Sequence, residues 1–257
     1  MSSLLRKKLD ICYICKVKTT EIIKLAIENI PEGTTFGYSD LNIDKSNYVA
    51  AAKAIERLIV AKKIKKLSKG VFYKPEQSVF GELKPSDEEL LKNYLYQDNK
   101  RIAYLTGTFL YNRMGLTTQV PAQFVIACNL KRIYINTQKI KAKPVKSYVD
   151  VTEENYELLG FLDALKDWKK IPDLDKTSGI GILLSYLTSM NKEQRDLLVT
   201  LALKYPPRVI AFLGALFEEK GFVDKISELK AKLNPLSTYN FGIKPVDLPT
   251  IKNWNIT

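Results

Sequence analysis

The sequence predicts an α+β chain, mainly helical, and three observations carry that expectation. Helical apolar spacing recurs through the last hundred residues. Two short strand-like runs with a turn tripeptide follow a pair of helical segments near the N-terminus. Between them, β-branched and aromatic runs replace the helical period. The expected division is residues 1–80 for a helix-and-hairpin module, 81–150 for a small α+β middle segment and 151–257 for a helical bundle. A chain of 257 residues can bury a real core without metal or disulfide staples.

The first element is expected from Thr19 to Ile30, where Ile22, Ile23, Ala26, Ile27 and Ile30 recur at helical spacing. Pro31, Glu32 and Gly33 end it. The segment TTFGYSDL is short and turn-rich. From Ser46 and Asn47 a long amphipathic run reaches Ile64, with Val49, Ala52, Ile55, Leu58 and Ile59 expected on the buried face. Asn47, Ala50, Lys53, Ala54 and Arg57 are expected on the outer one. Ile64 to Leu67 and Val71 to Lys74 then read as the two strands of a hairpin turned by Ser68, Lys69 and Gly70, with glycine available for positive φ. Pro75 and the EQSVFGELKPS stretch read as a linker or domain edge near residue 80.

In the middle segment, Phe124 to Asn129 and Arg132 to Ile135 are expected as strands joined through Asn129-Leu-Lys. From Glu153 the runs ENYELLGFLDALKDW, GIGILLSYLTSM, EQRDLLVTLALKY, RVIAFLGALFEE and VDKISELKAKL each carry helical periodicity, separated by proline or glycine breaks. Asn234 to Thr257 is expected to be extended, either packed on the bundle or loose.

The net charge of +12 is unevenly placed. Residues 1–80 hold 15 Lys and Arg against 8 Asp and Glu, residues 81–150 hold 11 against 6, and residues 151–257 hold 14 against 14. The excess therefore sits in the first 150 residues, which fits either a polyanionic partner or a lysine-rich surface that is merely solvated. No secretion signal and no membrane span are expected. Three cysteines, Cys12, Cys15 and Cys128, form no disulfide framework, so a reducing cytoplasm is the expected compartment.

Helix, turn-rich second element, amphipathic helix and basic hairpin follow one another in the order of a winged helix-turn-helix. In that module the last helix enters the major groove and the hairpin touches neighbouring backbone. Ser46, Asn47 and Tyr48, at the start of that helix, are the expected base or phosphate contacts. Lys53 and Arg57 are expected along phosphates, and Lys65, Lys66 and Lys69 on the wing, where ammonium groups displace condensed counterions. The alternative is a protein-docking module on the same scaffold, with the helical C-terminal part holding the partner. Asn47 could equally cap its helix, and Tyr48 could cover the core from the helix edge.

The segment from Gly37 to Pro75, ending AIERLIVAKKIKKLSKGVFYKP, resembles the N-terminal domain of AbiEi-type antitoxins, transcriptional regulators of type IV toxin-antitoxin systems. Tyr104-Leu-Thr-Gly107, Tyr111-Asn112 and Gly115-Leu-Thr-Thr-Gln-Val-Pro121 are similar to the motif that follows in a related bacterial branch. The likeness covers roughly residues 35–135. It implies a repressor that binds its own operator in double-stranded DNA and counteracts a nucleotidyltransferase-like toxin, without requiring a direct complex. Gly107 and Gly115 suggest tight turns, and a structural role is expected for Thr117, Thr118 and Gln119.

Signals for catalysis are weak, and no enzyme is expected. With no histidine in the chain, Ser-His-Asp and Cys-His arrangements are absent. Cys12 and Cys15 have CxxC spacing, but one pair without a second cannot close a four-ligand zinc site. Asp173 and Asp175 resemble a magnesium-binding carboxylate pair. They follow Pro172 in an interhelical loop rather than a Gly-Ser turn on a strand. Ser178-Gly-Ile-Gly181 lacks the third glycine and the P-loop lysine, and is expected to open a helix. No cofactor and no metal are expected.

Overall fold

The computed structural model describes residues 19–41, 43–44, 47–79, 81–136 and 140–257. Cys12, Cys15 and Ser46 lie outside them. The chain divides into two compact units, residues 1–93 and 94–257. Its mixed α and β character agrees with the expected class.

In the first unit, helix α1 spans Thr19–Glu28 and strand β1 spans Thr35–Gly37. A single 3-10 turn, Tyr38–Leu41, leads towards helix α2 at Tyr48–Val60. Strands β2 (Lys65–Ser68) and β3 (Val71–Tyr73) form the expected hairpin, and Gly70 takes φ 77° at its turn. The turn-rich segment hides β1, which pairs antiparallel with β3 through Thr35 opposite Tyr73 and Phe36 opposite Phe72. The sheet order is thus β1-β3-β2. Ile23 and Ile27 of α1, Phe36, Leu41, Ala51, Ala54, Ile55, Ile64 and Phe72 make one core.

Two sequence expectations change here. Helix α2 stops at Val60 rather than Ile64. Lys62 adopts φ 57°, its N–H donates to the Ile59 carbonyl, and the Lys63 N–H reaches back to the Leu58 carbonyl. Those two bonds satisfy carbonyls that the helix end leaves free, with lysine in the left-handed position usually held by glycine. The buried stripe is also rotated. Ala54, expected outside, is 2% exposed, whereas Val49, expected inside, is 72% exposed. Ala51, Ala54, Ile55 and Leu58 follow i, i+3, i+4, i+7 spacing, and the two alanines let α1 approach closely enough for Ile23 and Ile27 to join the same core.

The segment expected as a linker is instead a hairpin of β4 (Glu76–Ser78) and β5 (Gly81–Leu83), followed by helix α3 at Asp87–Leu95. Thr35 ties β1 to that helix: its N–H and hydroxyl both donate to the Glu89 carboxylate at 2.9 Å.

The second unit opens with a tight hairpin, β6 (Tyr96–Gln97) and β7 (Lys100–Arg101), turned on Asp98 and Asn99 at φ 49° and 59°. A four-stranded sheet follows: β8 (Ala103–Thr106), β9 (Phe124–Cys128), β10 (Ile135–Asn136) and β11 (Lys141–Lys146), in the order β10-β11-β9-β8. The run Arg132 to Ile135 does not extend β9 as a neighbour. Only its end is strand, and it pairs with β11, which itself lies parallel to β9. Ile133 and Ile135 are buried while Arg132 and Tyr134 face solvent, so the alternation was readable and the partner was not.

Helix α4 (Thr108–Arg113) follows β8. The helical part comprises α5 (Tyr156–Asp167), α6 (Lys176–Ser189), α7 (Lys192–Ala202), α8 (Pro207–Glu219) and α9 (Ile226–Lys230). Helix α8 is the centre of this unit's core, with every residue from Val209 to Phe217 buried. A run apolar all round belongs inside a bundle. The final stretch packs rather than hangs loose: Phe241, Leu248, Ile251 and Trp254 are buried, the last two in a 3-10 helix at Pro249–Trp254.

Candidate nucleic-acid interface

Helix α2 presents a solvent face of Asn47, Val49, Ala50, Lys53, Glu56, Arg57 and Val60. Asn47 directly precedes the helix but makes no side-chain cap bond. Tyr48 is half engaged: its ring lies 4.8 Å from that of Tyr38, which in turn stands edge-on to Phe72 at 5.5 Å. Partial burial, with the Tyr48 and Glu56 groups next in order, raises the Tyr38 phenol above its usual range. The three aromatics brace the start of α2 against the sheet, which answers the expectation that Tyr48 covers the core from the helix edge. Lys53 and Arg57 point to solvent one turn apart.

The three wing lysines are not equivalent. In β2, Lys65 pairs with Tyr73 and Lys66 with Phe72, so the two side chains leave opposite faces of the sheet. Lys66 shares the face of Phe72, a member of the core that α2 covers. Lys65 takes the other face, where its ammonium contacts both oxygens of Glu82, on β5, at 2.7 and 2.8 Å. That hydrogen bond raises the Lys65 ammonium above its ordinary range. Lys69 occupies the exposed turn, and a bulge between Lys66 and Ser68 leaves Leu67 as the extra residue. Two cations that sequence reasoning passed over, Lys62 and Lys63, are exposed between α2 and the wing. Their signal was the KKIKK run itself.

In the second unit, the motif residues Tyr104 and Thr106 converge on one buried carboxylate that the sequence reading missed. Asp163, only 2% exposed on α5, accepts from the Tyr104 hydroxyl at 2.9 Å, the Thr106 hydroxyl at 2.8 Å and the Lys166 ammonium at 2.6 Å. Tyr205 approaches its other oxygen at 3.4 Å, and Tyr111 donates to Asp167 at 2.9 Å. Both Asp163 oxygens have short donors, and with the Tyr111 bond to Asp167 this cluster fastens β8 and α4 to α5. A charged residue in the middle of the apolar run FLDALKDW was the available signal.

The GLTTQVP segment is held in the same manner. Gly107 and Gly115 have φ 71° and 80°. The Thr117 carbonyl accepts from Asn112, its hydroxyl accepts from the Gln119 N–H, and the Gln119 amide donates to Asp173 at 2.6 Å. Asp173 therefore supports this loop, and Asp175 caps α6 by accepting from the Ser178 N–H at 3.1 Å. These bonds give both carboxylates structural partners. Ser178 to Gly181 lies in the first turns of α6. Among the described residues there is no group of three or more His, Cys, Asp or Glu that could hold a metal ion. No described helix is long and apolar enough to cross a membrane.

A model of a protein family of unknown function matches residues 22–174, more than half of the chain. The crystal structure of the Rv2827c protein from Mycobacterium tuberculosis is similar in fold, with a TM-score of 0.53 and 12% identity over 86% of this chain and 83% of that one. No curated protein matches the sequence.

Proposed function

The chain belongs to DUF6088, a family of unknown function, and from its own residues we propose that the N-terminal unit is a winged helix-turn-helix that binds double-stranded DNA upstream of its own gene. One observation carries the reading. Helix α2 is framed by α1 on one side and the β2–β3 hairpin on the other, β1 closes the sheet on β3, and exposed cations gather on α2 and the hairpin. Lys53 and Arg57 on the helix, with Lys62, Lys63, Lys66 and Lys69 beyond it, supply six exposed ammonium or guanidinium groups to attract a polyanionic duplex. The expected acceptor is duplex DNA, because a helix of this diameter fills a major groove. Function follows as transcriptional repression: occupancy of the operator excludes other proteins from it.

The resemblance of the Tyr104–Gly107 and Gly115–Pro121 segments to an antitoxin branch extends the proposal. Residues 94–257 then counteract a nucleotidyltransferase-like toxin without a stable complex being required.

The test is a salt titration of binding to the upstream DNA against a scrambled duplex of equal length. A preference of about a hundredfold or more with a steep salt slope supports the reading. Equal weak binding to both overturns it in favour of a protein-docking scaffold.

A further inference from the structure

The solvent face of α2 is not the uniformly polar surface expected of a helix that only follows phosphates. Its centre line runs Val49, Lys53, Glu56 and Val60, spaced as successive helical turns, and all four are exposed. Val49 is 72% exposed in the first turn, with Ala50 beside it. Glu56 lies on the same line, and a carboxylate there would repel a phosphate. The line is therefore placed to face base edges, with Arg57 and the cations beyond Val60 left for the backbone on the flanks. The major-groove edge of a base pair offers donors and acceptors, and at thymine a C5-methyl group that only an apolar side chain can match.

Resting on the DNA-binding reading above, we propose that α2 reads thymine through its methyl group, with Val49 as the reading side chain and Ala50 extending the apolar contact. Lys53, one turn on, supplies the cation that neutralises the acceptor-rich groove around that methyl. Base reading thus moves off Tyr48, whose ring is packed on Tyr38, and onto the next two residues. The occupant is the major groove of duplex DNA, favoured over a second copy of the chain because Lys53 and Arg57 border the apolar pair with positive charge.

The experiment uses the full chain and the duplex from upstream of its own gene. Thymines in the protected region are replaced one at a time by deoxyuridine, which deletes the methyl and leaves pairing and the O4 acceptor unchanged. At one or two positions in the protected region, affinity should fall about fourfold for the lost methyl contact. The Val49→Ala protein should lose that discrimination while keeping its salt slope, and its folding should be intact because the side chain is exposed. Indifference of the wild-type protein to every deoxyuridine, or discrimination unchanged in Val49→Ala, overturns the proposal while DNA binding stands. Equal binding to native and scrambled duplexes overturns both readings together. A change of oligomeric state in Val49→Ala by light scattering would identify the stripe as a contact between copies and would also overturn it.

Discussion

Gly214 of α8 and Trp254 of the C-terminal 3-10 helix share one space: a methyl group added at Gly214 would lie within 2.5 Å of three carbons of the indole ring. The indole is fully enclosed, its N–H donates to Glu218 at 2.6 Å, and Lys230 lies over its ring at 4.9 Å. The last residues of the chain are thus keyed into the central helix of their unit. Gly214→Ala gains about 1 kcal/mol of helix propensity, yet the buried ring or the helix must shift to admit the methyl. Overpacking of about 1 to 3 kcal/mol should exceed that gain. Urea denaturation should show net destabilisation, and Trp254→Ala should cost about 3 to 5 kcal/mol. The double variant should cost less than the sum, because removing the ring makes room for the methyl. Additive losses would mean the two residues are not coupled.

How much of this was legible in the sequence depended on the range over which each feature is determined. The helices α5 to α8 were readable because their apolar spacing is local. Helix α2 was readable as a helix but not in its facing, since alanines at 50, 51, 52 and 54 fit two apolar stripes almost equally. Only α1 decides between them. Strand β1 has three residues and exists by pairing with β3, about 36 positions away in sequence. Register of that kind is not written in either segment alone. The role of Lys65 was hidden for the same reason, because its partner Glu82 lies in a hairpin that Pro75 and Gly81 made look like a linker.

Asp163 offers the sharpest stability test. With Asn in its place, Lys166 loses its counter-charge, and the amide NH2 takes the place of one carboxylate oxygen, setting donor against donor either at the ammonium or at the Tyr104 and Thr106 hydroxyls. Breaking a buried pair from one side costs about 3 to 5 kcal/mol. Asp163→Asn should therefore lower the unfolding midpoint strongly, and Asp163→Asn with Lys166→Met should recover part of the loss. No recovery in the pair would show that the tyrosine and threonine bonds, not the ammonium, set the cost.

Alkaline pH should unfold the second unit early. Burial first, and then the negative charge of Asp163 or Asp167, holds the Tyr104, Tyr111 and Tyr205 phenols far above their ordinary range. For Lys166, burial pulls the ammonium down, but Asp163 more than offsets it, so this group too is raised. All four keep their protons in the folded state after the unfolded chain has released them. Their contribution is complete below about pH 10, where unfolded tyrosine begins to ionise, and is lost as pH rises beyond it. Each phenol should remove about 1.4 kcal/mol per pH unit, so the three together should give a slope of about 4, to which Lys166 adds its own share above about pH 10.4. Urea midpoints from pH 8 to 11.5 measure this, and Tyr205→Phe should make the slope shallower by one phenol's share. A flat profile up to pH 11.5 would contradict the burial of these groups.

The wing lysines should separate in a DNA titration although they are neighbours in sequence. Each cation that displaces a counterion adds about 0.9 to the slope of log affinity against log salt concentration. Lys66 and Lys69 carry no carboxylate partner among the described ion pairs, and Arg57 is exposed on α2. Substituting any of the three by alanine should make the slope shallower by about one. Lys65 already has two short contacts to Glu82 and leaves the sheet on the opposite face, so Lys65→Ala should change neither slope nor affinity appreciably. Glu82→Gln is the informative partner variant. If it steepens the slope, Lys65 can swing to phosphate once released; if it leaves the slope unchanged, the facing of the side chain alone keeps it from the duplex. Fluorescence anisotropy over a salt series resolves a change of one unit, and a loss for Lys65→Ala equal to that for Lys66→Ala would contradict the opposed arrangement of the two side chains.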